Sequence, residues 1–463
     1  MKANKKIIIL LVTVSALFLS LIVYLTLFGL FKAPEIEKSV YNQRSFKREE
    51  SILRGTIYDR NGEILATSEV GKEGQKRVYP YGSLYTHLIG YSSRTYGKSK
   101  LEQSFDKYLS GKDDVSTALT VVDAVSGKQK TGMDLYLTVD HKLQKYASDL
   151  LGNKNGAIIV MDPDTGAIRA MVSNPTFNPD ADWLSKNWTS LTESNDSPFV
   201  ARATSGLYAP GSTWKIVTAC AAIEAGMENE KFKDEGKVII GGKEYTNSKK
   251  RAYGKITLDQ AFLHSSNVVF ASIGDKLGQN GMKIYDRFLL GQKINFDIPV
   301  TVSGLSGGSM SETDIASTAI GQGKLGVTPL YMLLVAASIE NGGKIMQPYV
   351  VGEASRNNIT GYKCQPGTIA TAVDAATAKK VKDMMKLCVQ KGTGTSARVS
   401  GLDVYGKTGT AQNETDKSHD WFAGFAEAPD GNKAAICVML EYNGQGSSSS
   451  ASIAGKVLSH CLK

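Results

Sequence analysis

Gly156-Ala157-Ile158-Ile159-Val160-Met161-Asp162-Pro163-Asp164-Thr165-Gly166-Ala167-Ile168-Arg169-Ala170-Met171-Val172 is the stretch on which the fold turns. Ala157-Ile158-Ile159-Val160 is an unbroken apolar run rich in β-branched residues, as expected of a strand covered on both faces. Asp162-Pro163-Asp164-Thr165-Gly166 is a turn, since proline presets one φ and glycine accepts a positive one. Ala167 to Val172 then reads as a second strand. Far downstream, 404–412, 421–426 and 434–441 read as three more strands, and 451–462 as a terminal helix. Closer in, 135–139 is strand-like, 141–151 has helical spacing, and a helix follows Pro210. Strands at both ends with helices between them predict one α/β unit whose sheet is closed by the C-terminal strands.

Upstream the texture differs. Arg54-Gly55-Thr56-Ile57-Tyr58-Asp59-Arg60-Asn61-Gly62-Glu63-Ile64-Leu65-Ala66 predicts two short strands around an Asn-Gly turn. Residues 76–111 are rich in Tyr and Gly, with a helix expected near 101–109, and the polar residues 112–132 read as a seam. Lys2, Lys5 and Lys6 precede Ile7 to Phe31, which carries no charge. That run exceeds the roughly 20 residues a bilayer-spanning helix needs. A cleaved signal peptide is the alternative, but its apolar core is shorter and ends at a small-residue site, whereas this run ends in Phe28-Gly29-Leu30-Phe31. The expected organisation is a cytoplasmic tail over 1–6, a membrane anchor over 7–31, a juxtamembrane linker (32–50) and pedestal within 32–132, and a catalytic unit over 133–463. The leading lysines put the N-terminus in the cytoplasm and the rest outside. Residues 444–450 read as a flexible loop.

With 463 residues, 42% of them hydrophobic and 21% charged, the chain has room for two or three folded units. Its net charge of +9 suits anionic surroundings such as phospholipid heads or wall polymers, and equally a slightly basic solvated surface. No basic run is interleaved with aromatics, so nucleic-acid binding has no support. The five cysteines form no CxxC pair and the five histidines no ligand-like cluster, so neither a metal nor a cofactor is expected. Disulfides are possible outside the cell, in pairings the sequence does not specify.

Three short motifs carry chemistry. Ser212-Thr213-Trp214-Lys215 puts a hydroxyl and an amine one helical turn apart, and a lysine kept neutral by burial and nearby positive charge can take the serine proton. Pro210-Gly211 suits a helix start, with free N–H groups near Ser212. Ser265-Ser266-Asn267 offers a hydroxyl to relay a proton and an amide to hold substrate. Lys407-Thr408-Gly409-Thr410 reads as a groove-lining strand: Lys407 adds positive potential, Thr408 and Thr410 can bind a carboxylate, and Gly409 lets substrate backbone approach. The N–H groups of Ser212 and Thr410 could form an oxyanion hole. Each motif alone has a bland reading, a helical surface pair for the first and a helix N-cap for the second, and each has a second copy: Ser104 to Lys107, Ser185 to Asn187, and Lys130-Thr131-Gly132. The order SxxK, SxN, KTG-Thr is the one shared by penicillin-binding proteins and serine β-lactamases, and the Lys130-Thr131-Gly132 copy breaks it, since it precedes both partner motifs and is followed by Met133, which has no hydroxyl.

At this point the chain resembles a class B penicillin-binding protein along nearly all its length. The pedestal signature of that family is matched by 54–66, by Tyr79-Pro80-Tyr81-Gly82, by His87-Leu88-Ile89-Gly90-Tyr91, and by Leu101-Glu102 with Phe105-Asp106. Ala209 to Lys215 resembles the nucleophile segment. Ile320-Gly321-Gln322-Gly323 with Val327-Thr328-Pro329-Leu330 resembles a segment behind the active site; Asn341-Gly342-Gly343 and Gly392-Thr393-Gly394-Thr395 are further landmarks. The resemblance implies an α/β (α+β) transpeptidase fold with an antiparallel sheet and a helical subdomain, after a membrane helix and a β-rich pedestal domain. It implies acylation of Ser212 by D-Ala-D-Ala stem peptides of peptidoglycan, attack of a neighbouring stem amine on the acyl-enzyme, and covalent inhibition by β-lactams. A polytopic glycan polymerase is the implied partner. Other readings are a D,D-carboxypeptidase, a β-lactamase or penicillin sensor, and a non-catalytic scaffold for a polymerase. Asn267, the pedestal and the anchor speak against the β-lactamase, and the complete Ser212, Lys215, Asn267 and Lys407 set against the scaffold.

Overall fold

The computed structural model describes residues 2–32, 52–71, 74–412, 417–444, 446 and 448–463. Beyond Lys32, the connector expected over 32–50 lies outside the described residues. The chain begins with a helix over Lys2–Leu27 that widens by one turn over Phe28–Lys32. The span Asn4–Lys32 has a mean hydropathy of 2.8 and its apolar side chains are exposed, so it is long and apolar enough to cross a bilayer. Thr13 and Thr26 each donate to the carbonyl four residues back, so neither hydroxyl enters hydrocarbon unsatisfied.

The catalytic sheet has five antiparallel strands in the order Asp403–Ala411, His419–Glu427, Lys433–Leu440, Gly156–Met161, Ile168–Asn174. The N-terminal hairpin therefore completes a sheet begun by the last strands, through pairings such as Val438 with Ile158. Strand periodicity sorts the side chains into two cores. Ala157, Ile159 and Met161 join Ala435, Cys437, Met439, Trp421 and Phe425 on one face. Ile158 and Val160 join Ile436, Val438, Leu440 and Phe422 on the other. The second face is covered by His141–Leu151 and Ser448–Leu462 through Leu143, Ala147, Ala454 and Leu458. The first is covered by Pro329–Glu340, a helix buried all round, and by Lys215–Glu224 behind it. Each buried Ile, Leu, Val or Phe is worth about 1.5–3 kcal/mol, so a helix set between two such layers is held rigidly.

A second sheet of six strands forms the pedestal, in the order Ile359–Lys363, Val351–Arg356, Asp134–Leu137, Ile57–Tyr58, Ile64–Gly71, Gly74–Val78. It continues across residue 132, taking three of its strands from later in the chain. The expected Asn-Gly turn is present, with Gly62 at φ +86°. The helix expected near 101–109 is broken into Lys100–Ser104 and Asp106–Leu109. Residues 112–132 are more than a polar seam: they hold a helix over Asp114–Val125, started by the Asp113 carboxylate, which accepts from the Ser116 N–H. Its inward face buries the polar Ser116 and Asp123 while Val122 and Val125 face solvent, so apolar periodicity could not reveal it. All five cysteines are free thiols.

The pedestal is locked by buried charge. Glu102 is fully buried and accepts from Arg54 Nε at 2.6 Å and Arg77 Nε at 2.7 Å, while Arg54 also reaches Asp106 at 2.5 Å. Burial alone would raise the Glu102 carboxyl, but the Arg54 and Arg77 guanidiniums outweigh it and hold it below the usual carboxylate range. Glu102→Gln should therefore cost about 3–5 kcal/mol, because two buried guanidiniums lose their counter-charge. The check is a urea midpoint against wild type. The loss should shrink in acid, since a depressed carboxyl contributes stability above its unfolded pKa and loses it as pH falls through the folded one.

Candidate active site

The nucleophile segment is clamped before its chemistry is considered. Gly211–Trp214 forms a tight 3₁₀ turn that runs directly into the Lys215–Glu224 helix. Gly211 sits at φ +54°, and a Cβ there would lie 2.9 Å from the Thr410 carbonyl oxygen. A Cβ at Gly409 would lie 2.7 Å from the Pro210 carbonyl oxygen and 3.1 Å from the Thr213 nitrogen. Two glycines thus let the Lys407-to-Thr410 strand and the Ser212 turn touch backbone to backbone. Thr213 Oγ1 donates to the Pro210 carbonyl at 2.7 Å, and the Gly211 N–H donates to Gly321 at 2.9 Å. The segment Ile320-Gly321-Gln322-Gly323 therefore does stand behind the nucleophile. Ser212 itself is half-buried.

Lys215 and Lys407 are both fully buried. Lys215 Nζ donates to the Ser265 carbonyl at 2.7 Å and to Asn267 Oδ1 at 2.8 Å, and lies 3.3 Å from Ser265 Oγ. Lys407 Nζ donates to Ser265 Oγ at 2.9 Å and to the Thr408 carbonyl at 3.0 Å. One serine hydroxyl thus lies between two amines from elements far apart in sequence. Burial, and then the positive charge of Lys407, push the Lys215 amine well below its ordinary value; burial also lowers Lys407. Among the described residues Ser212 Oγ makes no hydrogen bond, so the Lys215 amine is held on the Ser265 and Asn267 side of the cleft.

Ser265 is the residue that breaks the helix. It ends Leu258–His264 in the left-handed region (φ 58°), and Ser266 then caps Asn267–Gly281 by accepting from the Val269 N–H at 3.0 Å. A left-handed non-glycine residue costs about 1–2 kcal/mol, and here it turns the Ser265 carbonyl toward Lys215. The N-cap reading of Ser265-Ser266-Asn267 is thus realised at Ser266, while its neighbours Ser265 and Asn267 are the residues that meet Lys215 Nζ. Asn267 Nδ2 donates to the Thr246 carbonyl at 2.9 Å, which fixes its amide plane.

Thr410 is exposed on the groove, whereas Thr408 is buried and its hydroxyl pairs with Thr393 Oγ1 at 2.6 Å. Thr393, noted in the sequence only as part of Gly392-Thr393-Gly394-Thr395, is a support that motif reading missed. Thr246, which ends the strand Lys243–Thr246, and its neighbour Asn247 were also missed, since no motif marks either. The second copies stand apart: Ser104 and Lys107 in the pedestal helices, Ser185 and Asn187 on Ala181–Thr192, and Thr131 bridged to Leu53. No group of three metal-ligating side chains occurs among the described residues.

Residues 156–459 match the family model described as penicillin binding protein transpeptidase domain. The chain belongs to the penicillin-binding protein transpeptidases. Residues 54–135 of this penicillin-binding protein match the penicillin binding protein A dimerisation domain. It is 29% identical to peptidoglycan D,D-transpeptidase PbpA of Mycobacterium tuberculosis, over 93% of this chain and 92% of that one. Among solved structures it is similar to the D,D-transpeptidase domain of a peptidoglycan glycosyltransferase from Eggerthella lenta, at 33% identity and TM-score 0.79 over 89% and 98% of the two chains. It is also similar to penicillin-binding protein A from M. tuberculosis as an imipenem acyl-enzyme complex, at 27% identity and TM-score 0.83 over 90% and 100%. Membership of class B carries the chemistry of peptidoglycan D,D-transpeptidation.

Proposed function

We propose that this penicillin-binding protein cross-links stem peptides through an ester on Ser212. Ser212 Oγ attacks the carbonyl of the penultimate D-alanine, and the Lys215 amine takes its proton. The tetrahedral oxyanion is held by the N–H groups of Ser212 and Thr410. Ser265 passes the proton from Lys215 to the leaving nitrogen, so the terminal D-alanine departs as a neutral amine. Asn267 holds the donor peptide amide, and the Thr410 hydroxyl with the open backbone of Gly409 receives its carboxylate, helped by the charge of Lys407 and by the buried Thr408 hydroxyl, which Thr393 braces from behind. An amine of a neighbouring stem then attacks the ester, and the same groups run the proton transfers in reverse. The observation that carries this reading is the position of Ser265 Oγ, 3.3 Å from Lys215 Nζ and 2.9 Å from Lys407 Nζ, with Lys215 starting the helix that the Ser212 turn runs into.

The same reading assigns residues 133–463 to chemistry and 32–132 to a pedestal. It places 7–31 in the membrane with the lysine-bearing N-terminus inside, so that the catalytic unit works outside on the wall. A polytopic glycan polymerase would supply the strands it joins. The test is direct: the full chain in detergent, given a D-Ala-D-Ala pentapeptide and an amine acceptor, should release D-alanine and form a new amide product. D-alanine release without amide product would make it a carboxypeptidase, and neither product would leave it a scaffold.

A further inference from the structure

Behind Ser265-Ser266-Asn267 lies a charge that the mechanism above does not use. Asp234, the last residue of the strand Lys231–Asp234, is fully buried, and it makes no ion pair among the described residues. Instead it accepts four hydrogen bonds: from the Gly236 N–H at 2.9 Å, from Asn247 Nδ2 at 2.8 and 2.9 Å, and from Ser266 Oγ at 2.6 Å. A buried carboxylate met only by neutral donors is expensive unless the surroundings supply positive potential. Two sources are at hand. One is the start of the Asn267–Gly281 helix, whose first N–H groups point back at this cluster. The other is the buried Lys215 amine of the cleft.

The links to the cleft are short. Asn247 uses its nitrogen on Asp234 and on the Arg251 carbonyl at 2.9 Å, which fixes the orientation of its amide. Its oxygen then accepts from the Asn267 N–H at 2.8 Å and the Val268 N–H at 3.2 Å. Ser266, held by Asp234, caps the same helix. Asp234 thereby governs, through two neutral side chains, the position of the turn that presents the Ser265 carbonyl and Asn267 Oδ1 to Lys215 Nζ.

We propose that Asp234 is a positioning residue for acylation: its carboxylate fixes the Ser265-to-Asn267 turn through Ser266 and Asn247, and its negative charge partly balances the Lys215 amine. The proposal rests on the assignment of Lys215 as base. The groups that face Lys215 are Lys407 from the Asp403–Ala411 strand, which lowers it, and Asp234 and Cys388, the latter from the helix Ala375–Lys391, which raise it. Those that face Asp234 are Lys215 and His264; burial and Arg251 lower His264, while Asp234 raises it. Tyr253, stacked on His264 with ring centroids 4.4 Å apart, donates its N–H to the Asp234 carbonyl. Asp234 thus sets how far the amine is depressed, as well as where it sits.

The experiment is the rate of acylation by a fluorescent penicillin across pH, for the full chain in detergent. Wild type should show a limb that rises with pH as Lys215 loses its proton. In Asp234→Asn, which keeps the shape but not the charge, that limb should move down by about 0.5–1 pH unit, because an ammonium loses a stabilising neighbour. In Ser266→Ala, which keeps the charge but cuts one link, the maximal rate should fall and the limb stay in place. A merely structural Asp234 would lower the rate without moving the limb, and an unmoved limb in Asp234→Asn overturns the proposal. If Asp234→Asn does not fold, an unchanged maximal rate in Ser266→Ala overturns it instead. A limb that survives in Lys215→Ala removes the base assignment, and the proposal with it; a limb lost there but unmoved by Asp234→Asn removes the proposal alone.

Discussion

Ser212→Ala is expected to take up no fluorescent penicillin, with acylation at least about 10⁴-fold slower than wild type. The residue lies in the turn that Gly211 and Gly409 bring against the Thr410 backbone, where the neighbouring Thr213 hydroxyl is already committed to the Pro210 carbonyl. Nothing in the fold depends on it: Ser212 is half-buried, and its Oγ makes no hydrogen bond among the described residues. The variant should therefore keep the wild-type melting temperature, so a lost label reports chemistry. Mass spectrometry of the labelled wild type should place the adduct on the peptide holding Ser212. Label on another residue, or undiminished labelling of the variant, would refute the assignment of the nucleophile.

Lys215→Ala is expected to slow acylation by roughly 10³–10⁴-fold, since a positioned base contributes about 10²–10⁴ and the variant also frees Ser265 and Asn267 from their shared partner. Its sign with pH is fixed by the electrostatics. A buried amine beside Lys407 is pushed well below the ordinary lysine value of 10.5, so the reactive neutral form is reached at a lower pH than a surface lysine would allow. Acylation should rise as pH climbs through that value. Lys407→Gln removes the neighbouring positive charge and should move the rising limb upward, opposite to the shift expected for Asp234→Asn. Stopped-flow acylation from pH 5 to pH 10 reads all of these. Near-normal acylation in Lys215→Ala would rule out its role as base.

The elements of the catalytic sheet were legible because each strand carries its own evidence. Ala157 to Val160 is apolar without interruption, Asp162 to Gly166 can only turn, and the partners near the C-terminus repeat the pattern. The three motifs were legible for a different reason: each compresses a chemical requirement into three or four adjacent residues. The helix Asp114–Val125 was not legible, because Ser116 and Asp123 face inward while Val122 and Val125 face out, the reverse of an amphipathic pattern. Asp234, Asn247 and Thr393 escaped for a related reason. A supporting hydrogen bond needs one polar atom at the right distance, and local sequence carries no signature of distance.

By itself the sequence determined the local conformations, the buried apolar faces and the residue types that chemistry requires, since these depend on neighbours within one turn or one strand. Only the tertiary structure decided that Lys215, Ser265 and Lys407 meet, that one Ser-Lys pair borders that cluster while another lies in the pedestal, and that the pedestal sheet takes strands from both sides of residue 132. It also decided that Thr408 is held by Thr393. Those outcomes depend on which distant segments are pressed together, and that is settled by the burial of two sheets and their helices as wholes.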